Sequence, residues 1–296
     1  MGPSGFQAEL VHRDQRAVVV GVGGGLRTYS VGDREVLDGY GAEEECTSGR
    51  GQLLIPWPNR IEDGTYEFDG ERHELPITEP ERGNAIHGLV RGETWAVAEQ
   101  EGSRVLMTYG LEPQPGYPFS LALELEYSLS DDGLRVQTTA TNAGPRPAPY
   151  GAGAHPYFRA GSETVDSATL RIPARTVLQS NDRGLPVGSE PVEGSEFDFR
   201  RPRPIGATVL DHAFADLARD DDGLARVEVA DRVSLWVDDA YPYLMVFTGD
   251  PLPDVARRSL AVEPMTCPPN AFRTGDHLIR LEPGTSFTSA WGISPS

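Results

Sequence analysis

Short apolar and β-branched runs, each closed by a glycine-type turn, recur along almost the whole 296-residue chain. Ala17-Val18-Val19-Val20 comes first, with the glycine-rich residues 21–25 behind it, and runs over 26–30 and 35–37 flank Gly32-Asp33. Tyr66-Glu67-Phe68 alternates, Asp69-Gly70 turns and 72–75 returns; Asp-Gly between alternating runs is the strongest short-range hairpin signal. Runs over 95–101 and 104–109 flank Gly102-Ser103 in the same way. The longest alternation covers 119–129, with Leu121, Leu123, Leu125 and Tyr127 on one face and Glu124, Glu126 and Ser128 on the other. A turn at Asp132-Gly133 sends 134–141 back along it, as in a sandwich layer with one buried and one wet face. Further strands are expected over 169–172, 225–229, 233–237, 244–248, 259–262 and 286–291. Helical spacing is confined to one or two turns over 212–218 and one turn over 255–258, and no window sustains a 3.6-residue period. Gly at 33 and Pro at 25 punctuate the chain evenly, with no linker-like stretch between strands. The pattern predicts an all-β chain: one large antiparallel β-sandwich domain over residues 1–296.

Charge narrows what such a sandwich can bind. Asp and Glu total 45 against 26 Lys plus Arg, a net charge of -19, which repels nucleic-acid phosphates and anionic membranes. Lysine does not occur, so Schiff-base and P-loop lysine chemistry are excluded. The GVGGG of 21–25 lacks the helix start that a phosphate loop needs; Leu26-Arg27-Thr28-Tyr29 reads as a strand. No cofactor is expected. Cys46 and Cys267 are too few for a metal cluster; they could pair, although two separate thiols is the simpler reading. The first ten residues have neither a basic start nor an apolar core, so no signal peptide is read, and the simplest compartment is the cytoplasm. The apolar run 17–22 is too short to span a bilayer.

The rare polar residues gather in loop-like patches between strands, where a rigid β scaffold displays function. These patches are Trp57-Pro58-Asn59-Arg60-Ile61, Asn84-Ala85-Ile86-His87-Gly88, His155-Pro156-Tyr157-Phe158, Asp211-His212-Ala213-Phe214 and the strand-end Glu263. In this order, with Gly-Thr-Tyr-Glu-Phe-Asp-Gly after the first and Phe-Thr-Ser-Ala-Trp-Gly near the C-terminus, the set resembles the aldose 1-epimerase (galactose mutarotase) family over nearly the whole chain. Each motif alone is weak, and the ordered set is specific. Glu263-Pro264-Met265-Thr266 and the proline after His155 depart from the animal-type pattern and look more like a bacterial subgroup. The resemblance implies a galactose mutarotase-like supersandwich, acting on a small-molecule sugar, as a monomer or homodimer.

The implied chemistry suits these residue types. Interconverting anomers needs a base at the C1 hydroxyl and an acid at the ring oxygen, with no metal or nucleotide; each positioned group is worth about 10²–10⁴-fold. By resemblance Glu263 is the base, His155 the acid and His87 the second histidine. Arg60 and Asp211 hydrogen-bond sugar hydroxyls, Asn59 joins them, and Trp57 is our own candidate for an aromatic face under the sugar. His12, His73 and His277 read as structural, and His212 as structural beside a working Asp211.

Other readings remain open at this stage. An anionic sugar, a hexose 6-phosphate or a sulfonated hexose, predicts extra arginine near the pocket, and Arg91, Arg159 and Arg273 are eligible by position. A sugar-binding module without catalysis has no need of Glu263 and both histidines. A glycoside hydrolase would use Glu263 and Asp211 as paired carboxylates roughly 5–9.5 Å apart, leaving the histidines unexplained. A zinc hydrolase lacks any close histidine pair in the sequence.

Overall fold

The computed structural model describes residues 2–230, 233–252 and 255–295. Among the described residues, two antiparallel sheets dominate, one of nine strands and one of six, beside a four-stranded sheet at the N-terminus. The predicted hairpins are in place. Leu121–Ser130 pairs with Gly133–Asn142 through the middle of the larger sheet, and Leu121, Leu123, Leu125 and Tyr127 are buried as their alternation requires. In the hairpin of Thr65–Phe68 and Glu71–Glu74, Asp69 and Gly70 both take positive φ, 51° and 76°, the left-handed pair a tight hairpin turn needs. Cys46 and Cys267 are both free.

The six-stranded sheet runs in the order Tyr157–Arg159, Ser259–Met265, Tyr243–Phe247, Asp211–Leu217, Ala174–Ser180, Pro186–Pro191. Its two faces have different jobs. Phe214, Leu244, Val246, Leu260 and Val262 join the main core cluster with the inward side chains of the larger sheet. Because side chains alternate along a strand, Ala261, Glu263, Met245 and Phe247 turn to the opposite face. The strand Ser259–Met265 is buried throughout, which is why it reads as a continuous apolar run with one carboxylate in it.

The structure corrects two expectations. Residues 212–218 are not helical: Asp211–Leu217 is a strand held on both sides, by Ala174–Ser180 and by Tyr243–Phe247. Two ladders of backbone hydrogen bonds outweigh a weak local helical spacing. Residues 255–258 form turns, with Arg257 at φ 54°. The single α-helix among the described residues is instead Ala271–Thr274, closed by Gly275 at φ 81°. No helix among the described residues is long and apolar enough to cross a membrane.

Candidate active site

Two strands too short to read from sequence join the first two motifs. Arg60–Glu62 pairs with Asn84–Ile86, Arg60 opposite Ile86, so Asn59 and His87 become neighbours. Both take left-handed φ, 55° and 62°. The Asn59 carbonyl accepts the His87 N–H at 2.9 Å, and His87 Nδ1 accepts the Asn59 N–H at 3.3 Å. A neutral His87 therefore carries its ring proton on Nε2. Gly88 follows because a Cβ there would lie 2.0 Å from the Ile55 carbonyl oxygen.

His155 is fixed by its backbone and its ring. Its N–H donates to the Gln52 carbonyl at 3.0 Å, and its carbonyl accepts the Gly51 N–H at 2.9 Å. The imidazole stacks on the Tyr157 ring at 4.8 Å and 9°, and the rings of His87 and His155 meet edge-on at 5.3 Å. Glu263 comes from the sheet beneath. His155 Nε2 lies 3.3 Å from Glu263 Oε1, and both side chains are almost wholly buried. His155 Nδ1 and Glu263 Oε2 have no hydrogen-bond partner among the described residues. Buried polar atoms rarely stay unsatisfied, and here two sit on one acid–base pair.

Sheet register supplies the floor. Tyr157 is opposite Ala261, Phe247 is opposite both Ala261 and Asp211, and Met245 is opposite Glu263. Directly paired residues share a face, so Tyr157, Ala261, Phe247 and Asp211 form one row beside the row holding Glu263. Small Ala261 sits between the aromatic side chains of Tyr157 and Phe247 in that row. Phe247 is half-buried and presents the aromatic surface that sequence reasoning assigned to Trp57. Trp57 itself is 2% exposed and packs edge-on against Phe272 at 5.6 Å. It is a core plug between two prolines and offers no face to a sugar.

Arg60 is anchored rather than free. Its Nε donates to Glu79 Oε2 at 2.8 Å and one terminal nitrogen donates to Oε1 at 2.9 Å, a buried fork. The other terminal nitrogen lies 3.4 Å from Asn59 Oδ1 and is the one left for a ligand. Burial works against the Arg60 charge, but the hydrogen bonds to Glu79 and the Asp211 carboxylate outweigh it and raise the guanidinium. Arg82 reaches Asp211 Oδ2 at 3.6 Å, so Asp211 stands half-exposed at the mouth. His212 turns away and packs at a tilt against Phe197, ring centroids 4.4 Å apart.

Electrostatics make the pair unusual. Burial, then the nearby Arg91 and Arg50 charges, push His155 down to about 3. Burial, then His155, Arg91 and Arg60, push His87 well below its ordinary value. Burial and the Asp211 carboxylate push Glu263 well above the usual carboxylate range, with Arg60 pulling back. Burial thus favours the neutral form of both histidines and the protonated form of Glu263. Ligand atoms of His87, His155 and Glu263 lie within 4.8 Å of one another, a donor set that a divalent ion can use. The three arginines around it are an unfavourable setting for a dication.

The structure thus brings Glu263, His155, His87, Asn59, Arg60 and Asp211 together and sets Trp57 aside. Sequence reasoning missed Glu79, Arg82 and Phe247. Glu79 and Arg82 sit in Glu79-Pro80-Glu81-Arg82, which reads as an ordinary charged loop. Phe247 is found only through strand register.

Comparison with known proteins follows the geometry. The sequence model of one family, Aldose 1-epimerase, matches residues 7–294. The chain is 36% identical over 284 residues to the uncharacterized protein YihR of Escherichia coli (strain K12), covering 95% of this chain and 90% of that one. It is 30% identical over 161 residues to the galactose mutarotase of Homo sapiens, covering 52% of this chain and 46% of that one. Among solved structures, the GalM/aldose epimerase homologue from C. elegans superposes with a TM-score of 0.88 over 98% of both chains at 18% identity, a likeness of fold.

Proposed function

This chain belongs to the aldose 1-epimerase family, and from that premise we propose that it is a mutarotase, interconverting the α and β anomers of a hexose by general acid–base ring opening. One observation carries the reading: buried His155 Nε2 and Glu263 Oε1 at 3.3 Å, each residue with a second polar atom unpartnered. Acid and base adjoin, and nothing among the described residues uses the remaining atoms.

Glu263 accepts the proton of the C1 hydroxyl and His155 donates one to the ring oxygen. The bond from C1 to the ring oxygen breaks, leaving an open-chain aldehyde. Rotation about C1–C2 turns the other carbonyl face to the ring hydroxyl, and the reverse transfers close the ring. The pair holds one proton throughout. In the free protein it rests on Glu263; a sugar hydroxyl donating to the carboxylate favours its passage to the imidazole across 3.3 Å. His87 stays neutral and donates from Nε2. Asn59, Asp211 and the Arg60 terminal nitrogen outside the Glu79 fork take sugar hydroxyls over Phe247. We take residues 1–296 as one domain that carries this whole site.

This protonation scheme has a pH signature. kcat/KM follows the free enzyme, whose pair keeps one proton between His155, at about 3, and the raised Glu263. The profile, measured by NMR anomer exchange, is expected to fall on its acid side only as the pH nears about 3, where a second proton on His155 fills the pair, and on its alkaline side as the raised Glu263 gives up its proton. An acid limb that falls at the ordinary imidazole value instead would contradict it.

One observation favours a second reading, an anionic hexose. Arg159 is tied to Glu35 and Asp38, and Arg273 to Glu62 and Asp63. Arg91 pairs with no carboxylate among the described residues, yet its charge bears on both histidines. On this reading wild type prefers glucose 6-phosphate to glucose, and Arg91→Met reverses the order by about tenfold or more. A wild type that prefers the neutral sugar removes it.

A further inference from the structure

One buried cation beside the site takes no part in the ring opening. Arg50 is 3% exposed. Its Nη1 donates to the Thr47 carbonyl at 3.2 Å and to the Thr47 hydroxyl at 3.1 Å, while Nε and Nη2 have no hydrogen-bond partner among the described residues. Its ion pair is with Asp38, Nε to Oδ2 at 3.6 Å, too long for a hydrogen bond. Asp38 does not depend on that pair. Its Oδ2 already accepts Nε and a terminal nitrogen of Arg258 at 3.0 and 2.9 Å and the Ser259 hydroxyl at 2.9 Å. Replacing a buried charge by a well-packed apolar side chain is often neutral for stability or better, so the ion pair alone does not account for an arginine here.

What Arg50 meets is the ring behind His155. Its guanidinium carbon lies 4.9 Å from the centre of the Tyr157 ring, a cation–π distance, and the same ring stacks on the His155 imidazole at 4.8 Å and 9°. Tyr157 is 2% exposed. Its hydroxyl donates to the Ser48 carbonyl at 3.1 Å, and its carbonyl accepts the Asp38 N–H at 2.8 Å. The loop that carries Arg50 also touches the imidazole: Gly49 has φ 71°, and a Cβ there would lie 3.3 Å from His155 Cδ2. His155 needs such support. A working histidine is ordinarily oriented by a hydrogen bond at its other ring nitrogen, and His155 Nδ1 makes none among the described residues. Ring packing, in place of an acceptor, fixes the plane of this imidazole.

We infer that Arg50 is a positioning residue: seated by Asp38 and stacked on Tyr157, it holds that ring against the imidazole and keeps His155 Nε2 aimed at Glu263 and the sugar. It touches no reacting atom. The effect on turnover rests on the mutarotase reading; the ring geometry does not.

The test compares wild type with Arg50→Met, which keeps the length of the side chain and removes the cation. By NMR anomer exchange, kcat is expected to fall by about ten- to hundredfold with KM within about twofold, because the acid is misaimed while the contacts to sugar hydroxyls remain. Arg50→Lys keeps a cation for the ring and for Asp38 and recovers most of the loss. In a double-mutant cycle with Tyr157→Leu, the second change costs little once the first is made, since both act through one stack. Arg50→Gln, neutral and able to keep a hydrogen bond to Thr47, repeats the comparison should Arg50→Met not fold. A second readout needs no turnover. In proton–nitrogen correlation spectra of labelled protein, the His155 ring gives one sharp set of signals in wild type and broadened or doubled signals in Arg50→Met. Unchanged His155 signals in the folded variant, wild-type kcat there, or losses in the cycle that multiply would each overturn the inference. A wild type that turns over no hexose, with His155 signals that still change in Arg50→Met, would keep the positioning role and discard the mutarotase.

Discussion

Glu263→Gln is expected to lower kcat by about 10²–10⁴-fold while making the protein more stable at neutral pH by ~0.5–2 kcal/mol. Both effects follow from burial. Glu263 is 2% exposed, and burial with the Asp211 carboxylate holds it protonated well above the usual carboxylate range. The unfolded chain ionises freely above its ordinary value of 4.5. A raised folded-state value leaves stability whole below that pH and erodes it as pH rises towards the folded value. Glutamine keeps the shape and the contact with His155 but does not titrate. The stability gap between variant and wild type should vanish below pH 4.5 and widen towards neutrality. Urea unfolding at several pH values reads it directly. A Gln variant less stable than wild type at pH 7 would mean that the carboxyl is solvated or paired in a way its contacts do not reveal.

Glu79→Ala is expected to cost ~3–5 kcal/mol of stability, the range for removing one partner of a buried ion pair. The Arg60 guanidinium stays behind in the core, with its fork at 2.8 and 2.9 Å broken. Asn84, whose amide also donates to Glu79 at 3.1 Å, loses a partner too. Arg60 then points elsewhere, so KM rises with the loss of stability. Glu79→Gln, which keeps an acceptor but not the charge, should fall between. A Glu79→Ala loss below about 1 kcal/mol would place the pair in solvent-like surroundings.

The scaffold is legible in the sequence wherever one strand face is wet. Over 121–142 the alternation of leucine with glutamate or threonine gives strand, turn and buried face together. The strands of the site sheet are less so. Ala174–Ser180 and Pro186–Pro191 carry no clean alternation, and Asp211–Leu217 imitates a helix because Ala213, Phe214 and Leu217 fall at helical spacing. Only pairing partners far along the chain decide those segments. Catalytic candidates follow from ordered motifs, since His87, His155 and Glu263 each sit in a recognisable patch. Their supports do not. The Arg60–Glu79 fork and the Phe247 floor depend on which loops and strands lie opposite each other, which spacing along one chain does not encode. Trp57 shows the reverse case: a conspicuous aromatic in a functional motif that packs inward.

Polarimetry of freshly dissolved α-D-glucose and α-D-galactose, with wild type beside Glu263→Gln, tests the central claim most directly. The account predicts that wild type accelerates the decay of optical rotation for at least one sugar and that the variant, folded and at the same concentration, does not. Equal acceleration by both proteins would remove Glu263 from the reaction, and no acceleration by wild type on either sugar would contradict a mutarotase of free neutral hexoses.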